Sequence, residues 1–355
     1  MSMVSTVKKV LTGIIACLLL TAMAEAEFRD VTPDYQPEFP RDLYFRKDYR
    51  VQWWYVTGHL FDNAGREFGY ELTFFIVGVQ RREFTSVFGV NNIYISHFAL
   101  SDIQGKEYHF DDKADSGAFA YAGAKEKELK VWVGKNMLKG TMGRMEISAS
   151  GREASLDLLL RPAKPLVLHG EKGYSRKSEA SPLNASIYFS YTRMETEGTI
   201  RIGAKTFPVK GQSWFDREIS TEGLSRSKAG WDWFSLQLED GREVMLYLIR
   251  NKDNSIDRYS SGTVVLKDGI SLHLAADDFR VRVKKHYRSG KTGARYPSAW
   301  EIEVPSQGLQ LRVTPLIEDQ EFIGAGTTGN SYWEGACLVE GTVAGRAYVE
   351  MTGYE

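Results

Sequence analysis

The stretch Gly211-Gln212-Ser213-Trp214-Phe215-Asp216-Arg217-Glu218 carries the densest chemistry in the chain. Read as a strand, it places Trp214, Asp216 and Glu218 on one face and Phe215 and Arg217 on the other. Carboxylates two residues apart are then ~7 Å apart, beside an indole. On a face turned into an apolar cavity, desolvation and mutual repulsion raise the pKa of one, giving a general acid for near-neutral pH. On a solvated edge the same charges would pair with Arg217 or Lys210. His97, inside the apolar run Ile93–Leu100, reads as a hydrogen-bonded core residue or a proton shuttle, sharing its face with Ile95 and Ala99. His59 reads the same way, or, with Thr57 and Phe61 on its face, as a solvated residue.

Aromatic side chains are the second chemical resource: the chain has 8 Trp, 18 Tyr and 18 Phe. Trp53, Trp54, Tyr55, Trp231, Trp233, Tyr332 and Trp333 carry polar tips that are costly to bury without partners. They suit a barrel cavity holding an extended apolar or isoprenoid ligand, with barrel-bottom and inter-domain packing as the competing reading. The run Gly324–Gly329 fits G-x-G-x-x-G, but no strand-to-helix context surrounds it, which argues against dinucleotide binding. The six histidines lack metal-ligand spacing, and there is no phosphate-binding loop, nucleophile elbow or H-E-x-x-H. No metal and no cofactor are expected.

The elements that must position these residues are strands. Short apolar or alternating runs separated by Gly, Asn and Asp recur throughout, including Tyr70–Val79, Ile187–Arg193, Trp231–Leu238, Glu243–Arg250 and Ala347–Gly353. Turn signals stand at Asp62–Gly65, Glu239–Gly241 and Lys267–Gly269. One turn of helix is expected within Ser220–Lys228. An internal repeat aligns Trp53-Trp54-Tyr55 through Gly65-Arg66-Glu67 with Trp231-Asp232-Trp233 through Gly241-Arg242-Glu243. The expectation is an all-β chain of two consecutive lipocalin-like antiparallel barrels related by duplication, 27–222 and 223–355.

The 355 residues carry 45 Lys plus Arg against 46 Asp plus Glu, a balance that offers no basic surface for nucleic acid. Lys8 and Lys9 precede a largely apolar stretch from Val10 to Met23 and an Ala24-Glu25-Ala26 cleavage pattern. Residues 1–26 therefore read as a Sec signal peptide directing the protein to the periplasm. Ile14-Ile15-Ala16-Cys17 offers the alternative of a lipoprotein anchored through Cys17. Cys337 then has no disulfide partner and reads as a small buried core residue.

Together, Gln52–Leu60 followed by Gly69–Phe75, the His97–Leu100 stretch, Gly211–Glu218, Gly230–Leu238, Tyr332–Gly335 and Tyr348–Tyr354 resemble the carotenoid 1,2-hydratase (hydroxyneurosporene synthase) and AttH-like superfamily, in its exported branch carried under a secreted-hydrolase label. The resemblance covers essentially the whole mature chain. It implies two lipocalin-like barrels with a site near their junction. Trp214-Phe215-Asp216 matches the hydratases' aromatic-x-Asp motif, whose acid protonates an isoprenoid double bond before water adds. This chain departs from the hydratases at Arg217-Glu218, where they favour His-Asn, and at Gln52, where many relatives have Glu. The expected function is binding of a lipophilic ligand and cofactor-independent acid–base hydration of an alkene. Asp216 would be the acid, with Glu218, His97 or Tyr188 orienting water or relaying the proton. The expected ligand contacts are Trp54, Tyr55, Trp214, Trp231, Trp233 and Trp333. The alternatives are a non-catalytic lipid carrier, or accessory of an envelope ABC-type transporter, and, third, a secreted hydrolase.

Overall fold

A computed structural model describes residues 27–81, 89–179, 181–222, 227–253, 255–324 and 326–355. The signal segment, Cys17 and part of the expected helical turn lie outside them. Among the described residues there is no α-helix, only strands and four short 3-10 turns. The strands form two antiparallel sheets, each curled into a barrel or half-barrel.

Both sheets follow one plan. In the first, the strands Val51–Asp62, Glu67–Gly78, Asn92–Asp102 and Glu107–Asp115 form a meander. The last long strand, Lys205–Ser220, returns to pair with Val51–Asp62, and Ala185–Ile202 lies beyond it. In the second sheet, Lys228–Leu238 and Glu243–Asn251 begin a meander, Gly345–Thr352 returns to pair with Lys228–Leu238, and Ser331–Gly341 lies beyond. The sequence repeat is thus the opening hairpin of each sheet, and the expected turns are present with Gly65, Gly241 and Gly269 at positive φ.

Period-two alternation decides what each strand faces. Trp54, Phe74, Phe189 and Phe215 point into the first curled sheet and fill it. Phe234, Leu246, Trp300 and Trp333 fill the second. The barrel interiors are packed, so the aromatics expected to line a barrel cavity divide between two cores and the surface where the barrels meet. There Tyr55, Tyr188, Trp214, Trp233, Tyr247 and Tyr348 form a separate cluster. The faces touch at Gly69, where a Cβ would sit 2.5 Å from the Ala336 Cβ.

Polar latches hold the interface, and the repeat supplies them. Glu67 of the first barrel accepts Arg346 Nε of the second at 2.7 Å, and His59 Nδ1 lies 3.0 Å from the same carboxylate. Glu243, its counterpart in the second barrel, is clasped by Lys164 Nζ at 2.7 Å and Arg193 Nε at 2.5 Å of the first. Of the two readings of His59, core or solvated, the structure shows the first: it is buried, and its Nε2 meets the Ala347 carbonyl oxygen at 2.9 Å.

Candidate active site between the barrels

A cavity of about 290 Å³ lies between the two sheets. The first barrel lines it with Trp53, Tyr55, Thr73, Phe75, Tyr188, Asp216 and Glu218. The second adds Trp231, Trp233, Tyr247, Ile249, Tyr332, Glu334 and Glu350. One register explains the first group: Tyr55 and Ser190 flank Asp216, and Trp53 and Tyr188 flank Glu218.

Asp216 is 4% exposed and forms no ion pair among the described residues. It accepts hydrogen bonds from Tyr188 Oη at 2.8 Å, Trp214 Nε1 at 2.6 Å and the Ser190 hydroxyl, all neutral donors. Burial pushes its carboxyl up to about 7, against the pull of the three donors and with the help of the neighbouring Glu218 charge. Tyr188 is itself held by Trp233 Nε1 at 3.0 Å, so both barrels fix the position of Asp216. Glu218 pairs with Lys177 Nζ at 3.2 Å, and that ammonium also lies 4.2 Å from the Tyr247 ring centre. Burial opposes the charge on Lys177, but Glu218, Tyr247 and Asp216 outweigh it and keep the group protonated.

A second acidic group faces Asp216. Glu350 pairs across the strands with Trp233 and Glu334, as Asp216 pairs with Tyr55 and Ser190. Because Tyr55 and Trp233 are equivalent in the repeat, Glu350 is the second barrel's counterpart of Asp216. By the same register Tyr332 is the counterpart of Tyr188. Burial raises Glu350 to about 8. Burial, together with Glu71 and Glu350, holds Glu334 well above the usual carboxylate range, and Tyr55 donates a hydrogen bond to it.

The expected site residues are therefore partly brought together. Tyr55, Tyr188, Asp216, Glu218, Trp231 and Trp233 line the cavity. Trp214 lies one layer behind, orienting Asp216 and packing edge-on to Trp233 at 6.1 Å. Trp54 and Trp333 do not reach the cavity, since each alternates with residues that do. Trp54 donates to the Leu43 carbonyl oxygen beneath the Arg217 guanidinium, and Trp333 donates to the Glu318 carbonyl oxygen. His97 stands behind the wall, with Nδ1 2.7 Å from the Tyr332 hydroxyl oxygen and Nε2 3.0 Å from Thr327 Oγ1. Cys337 is buried in the second core. Lys177, Ser190, His169 and Glu350 were not singled out from sequence. Glu350 and Glu334 were legible in principle, because alternation through Tyr332-Trp333-Glu334 opposes the tyrosine and glutamate to a core tryptophan.

Raised carboxyls bind protons more tightly folded than unfolded, so their contribution is present in acid and lost as pH climbs to the folded pKa. For Asp216 the window runs from 3.8 to about 7, and for Glu350 from 4.5 to about 8. Burial lowers His97 and His169 from 6.5 to about 3, which costs stability only below 6.5. Between pH 6.5 and 8 the carboxyls act alone, each costing up to about 1.4 kcal/mol per pH unit within its window. Thermal denaturation across that interval is expected to show Tm falling; a rising Tm contradicts the assignment.

The AttH-like family model matches residues 30–354. An AttH protein of Nitrosomonas europaea is 34% identical, covers 92% of this chain and 99% of its own, and superposes with a TM-score of 0.84. Kievitone hydratase of Nectria haematococca shares the fold at 16% identity and a TM-score of 0.68, over 92% of this chain and 97% of its own. The dehydratase asqC of Emericella nidulans is 23% identical over 250 residues, 67% of this chain and 68% of its own. By the extent of the family match and its likeness to the Nitrosomonas protein, the chain belongs to the AttH-like family.

Proposed function

We propose that this protein is a hydro-lyase-type enzyme that adds water to, or removes it from, a lipophilic substrate held between the barrels, with Asp216 as the proton donor. The observation that carries the reading is Asp216 itself: a buried carboxyl held near pKa 7 by burial, fixed by three neutral donors at an aromatic wall. Such a group transfers a proton near neutral pH. The aromatic lining of Trp53, Trp231 and Trp233 suits the positive charge that protonation of an alkene creates. Glu218, steadied by Lys177, is placed to orient the water. The hydratase and dehydratase relatives support this reaction class. In the mature protein the reaction would run in the periplasm, after removal of residues 1–26.

Hydrolysis has less support. Ser190 lies 2.7 Å from His169 Nε2, but it donates its proton to Asp216 and is absent from the cavity lining, so it is not placed as a nucleophile.

The test is to extract co-purified lipophilic ligand, identify it by mass spectrometry, and incubate it with fresh enzyme. A mass change of one water is expected. A ligand that binds tightly and returns unchanged indicates a carrier and overturns the proposal.

A further inference from the structure

A line of hydrogen bonds leaves the cavity through its aromatic wall. Tyr332 Oη, on the lining, meets His97 Nδ1 at 2.7 Å; His97 Nε2 meets Thr327 Oγ1 at 3.0 Å; and the Thr327 hydroxyl donates to Asp112 Oδ2 at 2.9 Å. Asp112 is half-buried at the protein surface. At the cavity end the Tyr332 hydroxyl lies close enough to the Glu334 carboxyl to favour its charged form, and the cross-strand partner of Glu334 is Glu350. Thr327 belongs to the glycine run Gly324–Gly329, which thereby gains a role unrelated to dinucleotides.

The donor sense is fixed from Asp112 back to Tyr332. Asp112 Oδ2 accepts from the Thr327 hydroxyl, so the Thr327 oxygen must accept from His97 Nε2–H. Nδ1 then carries the lone pair and accepts from Tyr332, whose oxygen is free to accept from a protonated Glu334. The imidazole lies against Phe322, with centroids 4.6 Å apart, and Phe75, 5.4 Å apart. Its burial keeps the ring neutral, as a relay requires. A histidine serving only to fill an aromatic wall would not need both nitrogens in one directed chain.

We propose that Tyr332, His97 and Thr327 form a proton path connecting the Glu334–Glu350 carboxyl pair with solvent at Asp112. In one passage the Glu334 proton moves to Tyr332 Oη and the Tyr332 proton to His97 Nδ1. The Nε2 proton moves to Thr327 Oγ1 and the Thr327 proton to Asp112 Oδ2. Glu334 ends as a carboxylate and Asp112 as an acid, every intermediate group stays neutral, and the reversed chain is again fully hydrogen-bonded. Glu334 is only 1% exposed. Once an apolar ligand displaces water from the cavity, this path supplies the second barrel's acid while Asp216 serves the first. Its purpose rests on the acid–base reading above, but its existence does not require turnover.

The test uses infrared spectroscopy of the full-length protein transferred rapidly into D2O. The C=O stretch of a buried protonated carboxyl, assigned to Glu334 by its loss in Glu334→Gln, shifts as deuterium arrives. Thr327→Val, a change in a surface loop, and His97→Phe are expected to slow that shift about tenfold or more, the effect of losing one hydrogen bond on the route. Thr327→Ser restores the rate, and Asp216→Asn leaves it unchanged. A shift at the wild-type rate in Thr327→Val, or no Glu334-dependent band at all, overturns the path. Loss of turnover in Asp216→Asn bears only on the proposed reaction.

Discussion

Asp216→Asn is expected to leave a folded protein that has lost about 10²- to 10⁴-fold of its turnover, the usual contribution of a positioned general acid. The amide keeps the shape of the carboxyl: its oxygen still accepts from Ser190 and Trp214, while its NH2 takes the other oxygen's place and donates to Tyr188 Oη, so the wall geometry survives with the Tyr188 bond reversed. What disappears is the transferable proton. The same substitution removes a carboxyl whose ionisation is opposed by burial, so the variant is expected to be more stable than the wild type at pH 8, by up to ~4 kcal/mol. Turnover of the co-purified ligand and thermal melts at pH 8 check the pair of effects. Wild-type activity in a well-folded variant would remove Asp216 from the mechanism. The wild-type rate itself should fall as pH rises through about 7, because the acid must be protonated to act.

The second large effect is structural. Glu243 is fully buried and compensates both Lys164 and Arg193, while Thr192 Oγ1 donates to it at 3.2 Å. Glu243→Ala leaves two cations facing one another without their shared anion. Breaking a buried pair in this way costs about 3–5 kcal/mol. The counterpart Glu67→Ala should cost less, because its Arg346 partner is 31% exposed and can turn to water. Urea denaturation of the two variants checks the ranking. Equal midpoints would mean that the Glu243 latch contributes no more than the Glu67 latch.

Much of this site was legible because a strand has only two faces. The alternation of Trp214, Asp216 and Glu218 against Phe215 and Arg217 in the sequence is the alternation in the structure. Applied to Trp53-Trp54-Tyr55 and Tyr332-Trp333-Glu334, the same rule sends the central tryptophan inward each time, yet aromatic richness alone groups each tryptophan with its aromatic neighbours. Other features depend on partners remote in sequence. Lys177 reaches Glu218 from outside any strand motif, and the His59 environment comes from Ala347, 288 residues away. The cavity's place between the barrels, rather than inside one, follows from how completely the large apolar side chains fill both interiors.

The crossed latches have a further meaning. Each repeat offers its glutamate to cations of the other, as the subunits of a twofold homodimer would, although the cations themselves differ: Arg346 for Glu67, Lys164 and Arg193 for Glu243. In a true homodimer both walls of the shared cavity must carry the same residue. Joining the halves in one chain lifts that constraint. Asp216 and Glu350 occupy equivalent places, yet Asp216 is held by three neutral donors and Glu350, among the described residues, by Trp231 alone. Covalent linkage thus lets a pseudo-twofold interface hold an asymmetric pair of acids, a division of labour that identical subunits could not encode.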